Sequence, residues 1–128
     1  MPTAATHTVN PYPNGLDVGQ RMLYLYGTVA ITAGTYPTGG YPAPGNASCV
    51  WAAGSQQQLT SDKAPVMIYY TSVGHPPSGY IYLWDQSAQT LRIFQQTGTA
   101  AALAELSGAV PAGVIADLIE FEVIVARD

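Results

Sequence analysis

The chain has 128 residues, 48% of them hydrophobic and only 9% charged, and eight acidic against four basic side chains leave a net charge of −4. That length fits one domain around one core, and so few cations exclude a phosphate-neutralising stripe and with it nucleic-acid binding. A single cysteine, Cys49, excludes an internal disulfide and a multi-cysteine zinc site, and its apolar neighbours Val50 and Trp51 predict a buried, inert thiol.

Soluble domains commonly carry about 25% charged residues. A surface built instead from Ser, Thr, Gln, Tyr and Gly has little charge to hold copies apart, which suits a protein that lives within an assembly. The first residues, "MPTAATHTVNPYPNG", hold no basic n-region or apolar h-region, and no apolar run approaches the ~20 residues of a membrane span. The expectation is a soluble, non-exported chain with no membrane partner, in which the sequon Asn46-Ala47-Ser48 carries no weight.

In chain order, residues 1–20 are small and polar, with Pro11 and Pro13 around Tyr12 and no strand or helix period. They predict an extended N-terminal arm, leaving 21–128 as a single domain. Residues 21–32 alternate, with Leu23, Leu25, Gly27, Val29 and Ile31 on one face and tyrosines and threonines on the other, and predict a strand. A glycine- and proline-rich loop follows, then a short strand over 47–53, the polar connection "GSQQQLTSD" and a strand over 66–71. "SVGHPPSG" is a turn. Residues 80–84 and 90–95 form a hairpin across 85–89. "TGTAAALAELS", 97–107, predicts the one short helix, capped by Thr99 and ended by Gly108. Residues 115–127 predict a core strand with Ile119, Phe121, Val123 and Val125 inward and Glu120 and Glu122 outward. About six short strands between Gly/Pro turns make an all-β domain, an antiparallel β-sandwich or small barrel.

Groups able to do chemistry are few. His7 falls in the arm and His75 in a Pro/Gly turn, and neither belongs to a triad or metal-cage spacing. Glu120 and Glu122 at i, i+2 offer paired carboxylates, but a solvated strand face gives the same spacing, and a pairing with Arg92 or Arg127 is ordinary there. "GTYPTGG" lacks the Lys-Ser/Thr end of a phosphate loop. Tyr69, Tyr70, Tyr80, Tyr82 and Trp84 include a possible sugar-stacking set, although alternation divides them between core and surface. The prediction is no enzyme, no catalytic residue, no cofactor and no metal.

Contact is what remains. Tyr36-Pro37 and Tyr41-Pro42 each place an aromatic ring before proline, which biases the tyrosine to extended geometry. Tyrosine covers a large area with only two side-chain torsions to freeze. The loop reads as a docking element, with a surface-covering loop as the alternative. The predicted contact set is Tyr12, Tyr36, Pro37, Tyr41, Pro42 and His75. Removing residues 1–20, or replacing Tyr36 and Tyr41 with alanine, is then expected to leave the fold intact and weaken attachment.

The order "GTVAITAGTYPTGG", a tyrosine-rich hairpin and "AALAELSGAVPAGVIADLIEFEVIV" resembles the small capsid cement or decoration proteins of tailed bacteriophages, over residues 22–127. The resemblance implies a β-sandwich or jelly-roll-like fold. It also implies a homotrimer on the outer capsid surface that ties neighbouring major capsid subunits together, made in the host cytoplasm and carried in the virion. It gives the turn 34–40 a structural role and Phe121 a core role, and carries no catalytic residue. The insertion "YPAPGN" after Gly40 departs from the pattern, so contacts there are particular to this chain. A trimer engaging several sites multiplies the effective concentration of each contact. The alternatives are another virion component, tail or neck, and a carbohydrate- or host-surface-binding β-sandwich.

Overall fold

The computed structural model describes residues 5–9, 16–19, 22–52, 65–73, 79–96 and 102–126. Among them are ten strands and one helix. The strands are β1 (Ala5–Val9), β2 (Leu16–Gly19), β3 (Met22–Ile31), β4 (Tyr41–Pro42), β5 (Val50–Trp51), β6 (Pro65–Val73), β7 (Tyr80–Asp85), β8 (Thr90–Gln96), β9 (Leu103–Glu105) and β10 (Leu118–Ala126), and the helix is α1 (Ala112–Ala116). The fold is an all-β sandwich of two sheets.

The six-stranded sheet runs β5-β1-β3-β10-β6, with β2 also on β3, and the four-stranded sheet runs β4-β8-β7, with β9 also on β8. All pairings are antiparallel except β1 with β5. Alternation places the described core residues of β3 and β10 as read from the sequence. Leu25, Val29 and Ile31 of β3, Ile119, Phe121 and Val123 of β10, and Ile68 and Tyr70 of β6 are buried in one cluster with Tyr41, Tyr82, Leu91 and Ile93 of the smaller sheet. Each such side chain contributes about 1.5–3 kcal/mol by leaving water.

The predicted arm is corrected by β1 and β2. Residues 5–9 lie along 31–27 of β3, and Leu16, Asp17 and Gly19 lie along Tyr24, Leu23 and Met22 of the same strand. β10 fills the opposite edge of β3, so β1 and β2 share one edge end to end. Gly27 permits this, because a Cβ there would overlap the carbonyl oxygen of Thr8. Ala5, His7 and Val9 all turn inward, a period-two pattern too short, and too polar at its centre, to read as a strand.

The helix is also corrected in place. Leu103–Glu105 is strand β9, whose backbone completes the edge of β8 opposite Phe94, Gln95 and Gln96, and ladder bonding there overrides the helix propensity of Ala, Leu and Glu. Residues 97–101 lie outside the described set. The helix begins instead after Pro111, whose φ of −64° and missing N–H suit a helix start, and is anchored by buried Val114. It delays the last strand to Leu118. The strand expected over 47–53 shrinks to Val50–Trp51, because the Asn46 side chain accepts the Ser48 N–H at 2.9 Å and Cys49 N–H bonds Asn46 O at 3.0 Å in a turn.

Candidate functional site

The loop between β3 and β4 is fastened rather than offered. Thr35 bridges Ala109, Tyr36 N–H bonds Gly108 O and Val110 N–H bonds Gly34 O, both at 2.8 Å. Past the loop's turn, Thr90 Oγ1 donates to Gly39 O at 2.8 Å and Ala43 N–H to Gln89 O at 3.1 Å. Gly40 has φ +103°, and a Cβ on it would stand 2.5 Å from Leu91 O, so only glycine lets the loop lie against β8.

Tyr36 and Tyr41 are 4% and 0% exposed, and their rings meet edge to face at 5.5 Å. The Tyr36 hydroxyl accepts the Ile93 N–H at 3.1 Å and donates to Glu105 Oε2 at 2.8 Å. It thereby fills the gap on the edge of β8 between β4 and β9. Burial, with the bond to Glu105, holds this phenol well above its usual value. The expectation that these rings face a partner is overturned by their burial. A partner meeting the loop would touch Thr38, which is exposed, and Pro37 and Pro42, which are half-buried. Tyr12 and His75 lie outside the described residues.

The outer face of the smaller sheet carries what the sequence did not bring together. Arg92 reaches Glu105 through Nη2–Oε1 at 2.6 Å and Nε–Oε2 at 3.1 Å, and Asp85 through Nη1–Oδ2 at 3.1 Å. The guanidinium lies 5.9 Å from the centre of the Phe94 ring. The Arg92 fork holds the Glu105 carboxyl below its usual value. Around this fixed ion cluster, Ile81, Leu83 and Leu103 are 40%, 49% and 52% exposed. Ile81 faces Phe94 and Leu83 faces Arg92 across the β7–β8 ladder, and Leu103 on β9 faces Gln96, in phase with Phe94 and Arg92, so all lie on one surface. The sequence offered Arg92 to Glu120 or Glu122; the hairpin register instead brings it diagonal to Asp85, and Glu105 was expected on a helix.

The outer face of the larger sheet sets tyrosines and carboxylates beside the exposed side chains of Tyr69 and Leu118. Tyr24 Oη donates to Glu122 Oε1 and Tyr26 Oη to Glu120 Oε2, each at 2.8 Å and each diagonal to the strand register. These two carboxylates therefore take tyrosine hydroxyls and not Arg92, which goes to Glu105 and Asp85; Arg127 lies outside the described residues. Burial and the Glu122 bond raise the Tyr24 phenol to about 12. A shallow cavity of about 160 Å³ lies beside them, lined by Tyr26, Tyr69, Thr71, Glu120, Phe121 and Glu122. Tyr70 and Tyr82 turn into the core while Tyr69 stands outside, so the aromatic residues of β6 and β7 form no common platform.

Half-buried Cys49 comes up beside His7 in the core, a pairing with the outline of a nucleophile and base. Cys49 Sγ is 3.6 Å from His7 Nδ1. Nδ1 also lies 3.1 Å from Ala5 O, which only accepts, so Nδ1 carries the proton and Nε2 accepts the Tyr70 O–H at 2.8 Å. Burial lowers His7 to about 4 and raises the Cys49 thiol to about 12. Both shifts oppose a thiolate–imidazolium pair and keep the thiol neutral; Cys49 is half-buried, where the sequence expected a buried side chain. Among the described residues no three His, Cys, Asp or Glu side chains converge to hold a metal ion, and no helix is long and apolar enough to cross a membrane. Comparison with known proteins finds no matching family model, no matching curated protein and no matching solved structure.

Proposed function

We propose that this chain is a capsid decoration protein that binds shells of a tailed phage through the outer face of its four-stranded sheet. The observation that carries the reading is the exposed row of Ile81, Leu83 and Leu103 around the fixed Arg92–Glu105–Asp85 cluster. Apolar side chains around a held arginine make a surface that gains by being covered, with little side-chain freedom left to lose. The 9% charge content supports the same reading, since it leaves little repulsion between the chain and an assembly. The major capsid protein is the partner, the outer capsid the location, and a homotrimer the form in which several weak contacts act together.

The test is co-sedimentation with shells assembled from the proposed partner, a tailed-phage major capsid protein. An Ile81→Asp, Leu83→Asp double variant is expected to keep its circular dichroism and lose binding by at least about 30-fold, the size of an interface hot spot. Undiminished binding by a folded double variant overturns the assignment. A carbohydrate-binding reading takes its support from the cavity beside exposed Tyr69 and the Glu120 and Glu122 carboxylates; a glycan array blank for the wild-type protein removes it.

A further inference from the structure

Among the described residues the core takes in one histidine completely, and it sits at the centre of the first described strand. The elements packed on its ring present Trp51 at 5.6 Å, Tyr70 at 5.9 Å and Phe121 at 5.2 Å between ring centres, with the Cys49 thiol beside Nδ1. None of these groups is anionic: burial holds the Tyr70 phenol and the Cys49 thiol in their neutral forms. Both ring nitrogens are already used by Ala5 O and Tyr70 Oη. Among the described residues no carboxylate faces the ring, so a second proton on Nε2 would create a buried cation met only by neutral groups, the Tyr70 hydroxyl and the backbone of Ala5 and Val50.

β1 is a short strand, held by β3 on one side and by only the two residues of β5 on the other. It is five residues long and precedes the rest of the sheet in the chain. The β3–β10 and β10–β6 ladders do not depend on it.

We infer that His7 is an acid-operated latch: protonation of its imidazole drives β1 out of the sheet while β3, β10 and β6 stay paired. Release uncovers the edge of β3 at residues 27–31, whose backbone groups then await another strand.

The experiment is amide hydrogen exchange on the wild-type chain from pH 7.5 to 3.5, corrected for intrinsic rates, with residues 119–123 of β10 as the internal reference. The drop of His7 from 6.5 to about 4 corresponds to a rise of up to about 300-fold in the opening of Ala5–Val9 relative to β10. In His7→Gln this relative rise disappears. Parallel opening of β1 and β10 in the wild type, or the same rise in a folded His7→Gln, overturns the latch. The imidazole resonances of the wild-type protein decide independently of any variant: titration near 4 in the folded state supports it, and titration near 6.5 overturns it.

Discussion

β3 and β8 each carry a full ladder on one side, β10 and β7, and two short strands end to end on the other, β1 with β2 and β4 with β9. The two patched edges are fastened by different chemistry. On β3 the fastening is His7, uncharged and fully buried among rings. On β8 it is the Tyr36 hydroxyl, which caps Ile93 N–H and leans on Glu105, itself gripped by half-exposed Arg92. A neutral hydrogen-bonded group avoids the desolvation cost of a charge in a dry core, whereas at the rim water shares that cost and an ion pair is tolerated. The same difference separates the edges by pH. His7 has a lowered folded value, so its contribution is whole above 6.5 and is lost as pH falls towards about 4. Glu105 is also lowered, by Arg92, but from 4.5, so its contribution is present above 4.5 and goes only in stronger acid.

The largest expected effect breaks the β8 patch at its core. Tyr41→Ala should lower stability by about 3–5 kcal/mol in denaturant unfolding, against no more than about 0.5 kcal/mol for Thr38→Ala at the exposed part of the same loop. Next comes the β3 patch. Between pH 7.5 and 4 the wild type should lose roughly 3 kcal/mol that His7→Gln does not lose, measured as the difference between their urea midpoints across that range. Tyr36→Phe keeps the ring but leaves Ile93 N–H without its acceptor, and thermal unfolding should show a loss of about 1–3 kcal/mol. At the small end, Glu122→Gln on the outer face of the larger sheet keeps an acceptor for Tyr24 and should change stability by no more than about 0.5 kcal/mol.

What was legible in the sequence follows the range of the interactions. β3 and β10 each carry at least three alternating apolar positions, and their described inward and outward faces are found as read, while the β7–β8 hairpin is found where its strands and connection were placed. β1 was not legible, since polar His7 interrupts the apolar pair Ala5 and Val9 until Tyr70, 63 positions away, supplies the bond that lets the histidine enter the core. The tyrosines of the Gly/Pro loop fail for the same reason. A Tyr-Pro pair between glycines resembles a surface tip, and only the register of β9 on β8 brings Glu105 under the Tyr36 hydroxyl. That register was hidden by the good local helix propensity of residues 102–106. The adhesive candidate moved accordingly, from loop rings that the fold consumes to apolar side chains that the small sheet leaves outside.

Electron microscopy of shells decorated with the wild-type protein tests that relocation most directly. The account predicts density on the outer capsid with Ile81, Leu83 and Leu103 of the small sheet at the contact. Density on the tail or neck, or a contact made by Thr38 and its neighbours while the small sheet faces solvent, would contradict it.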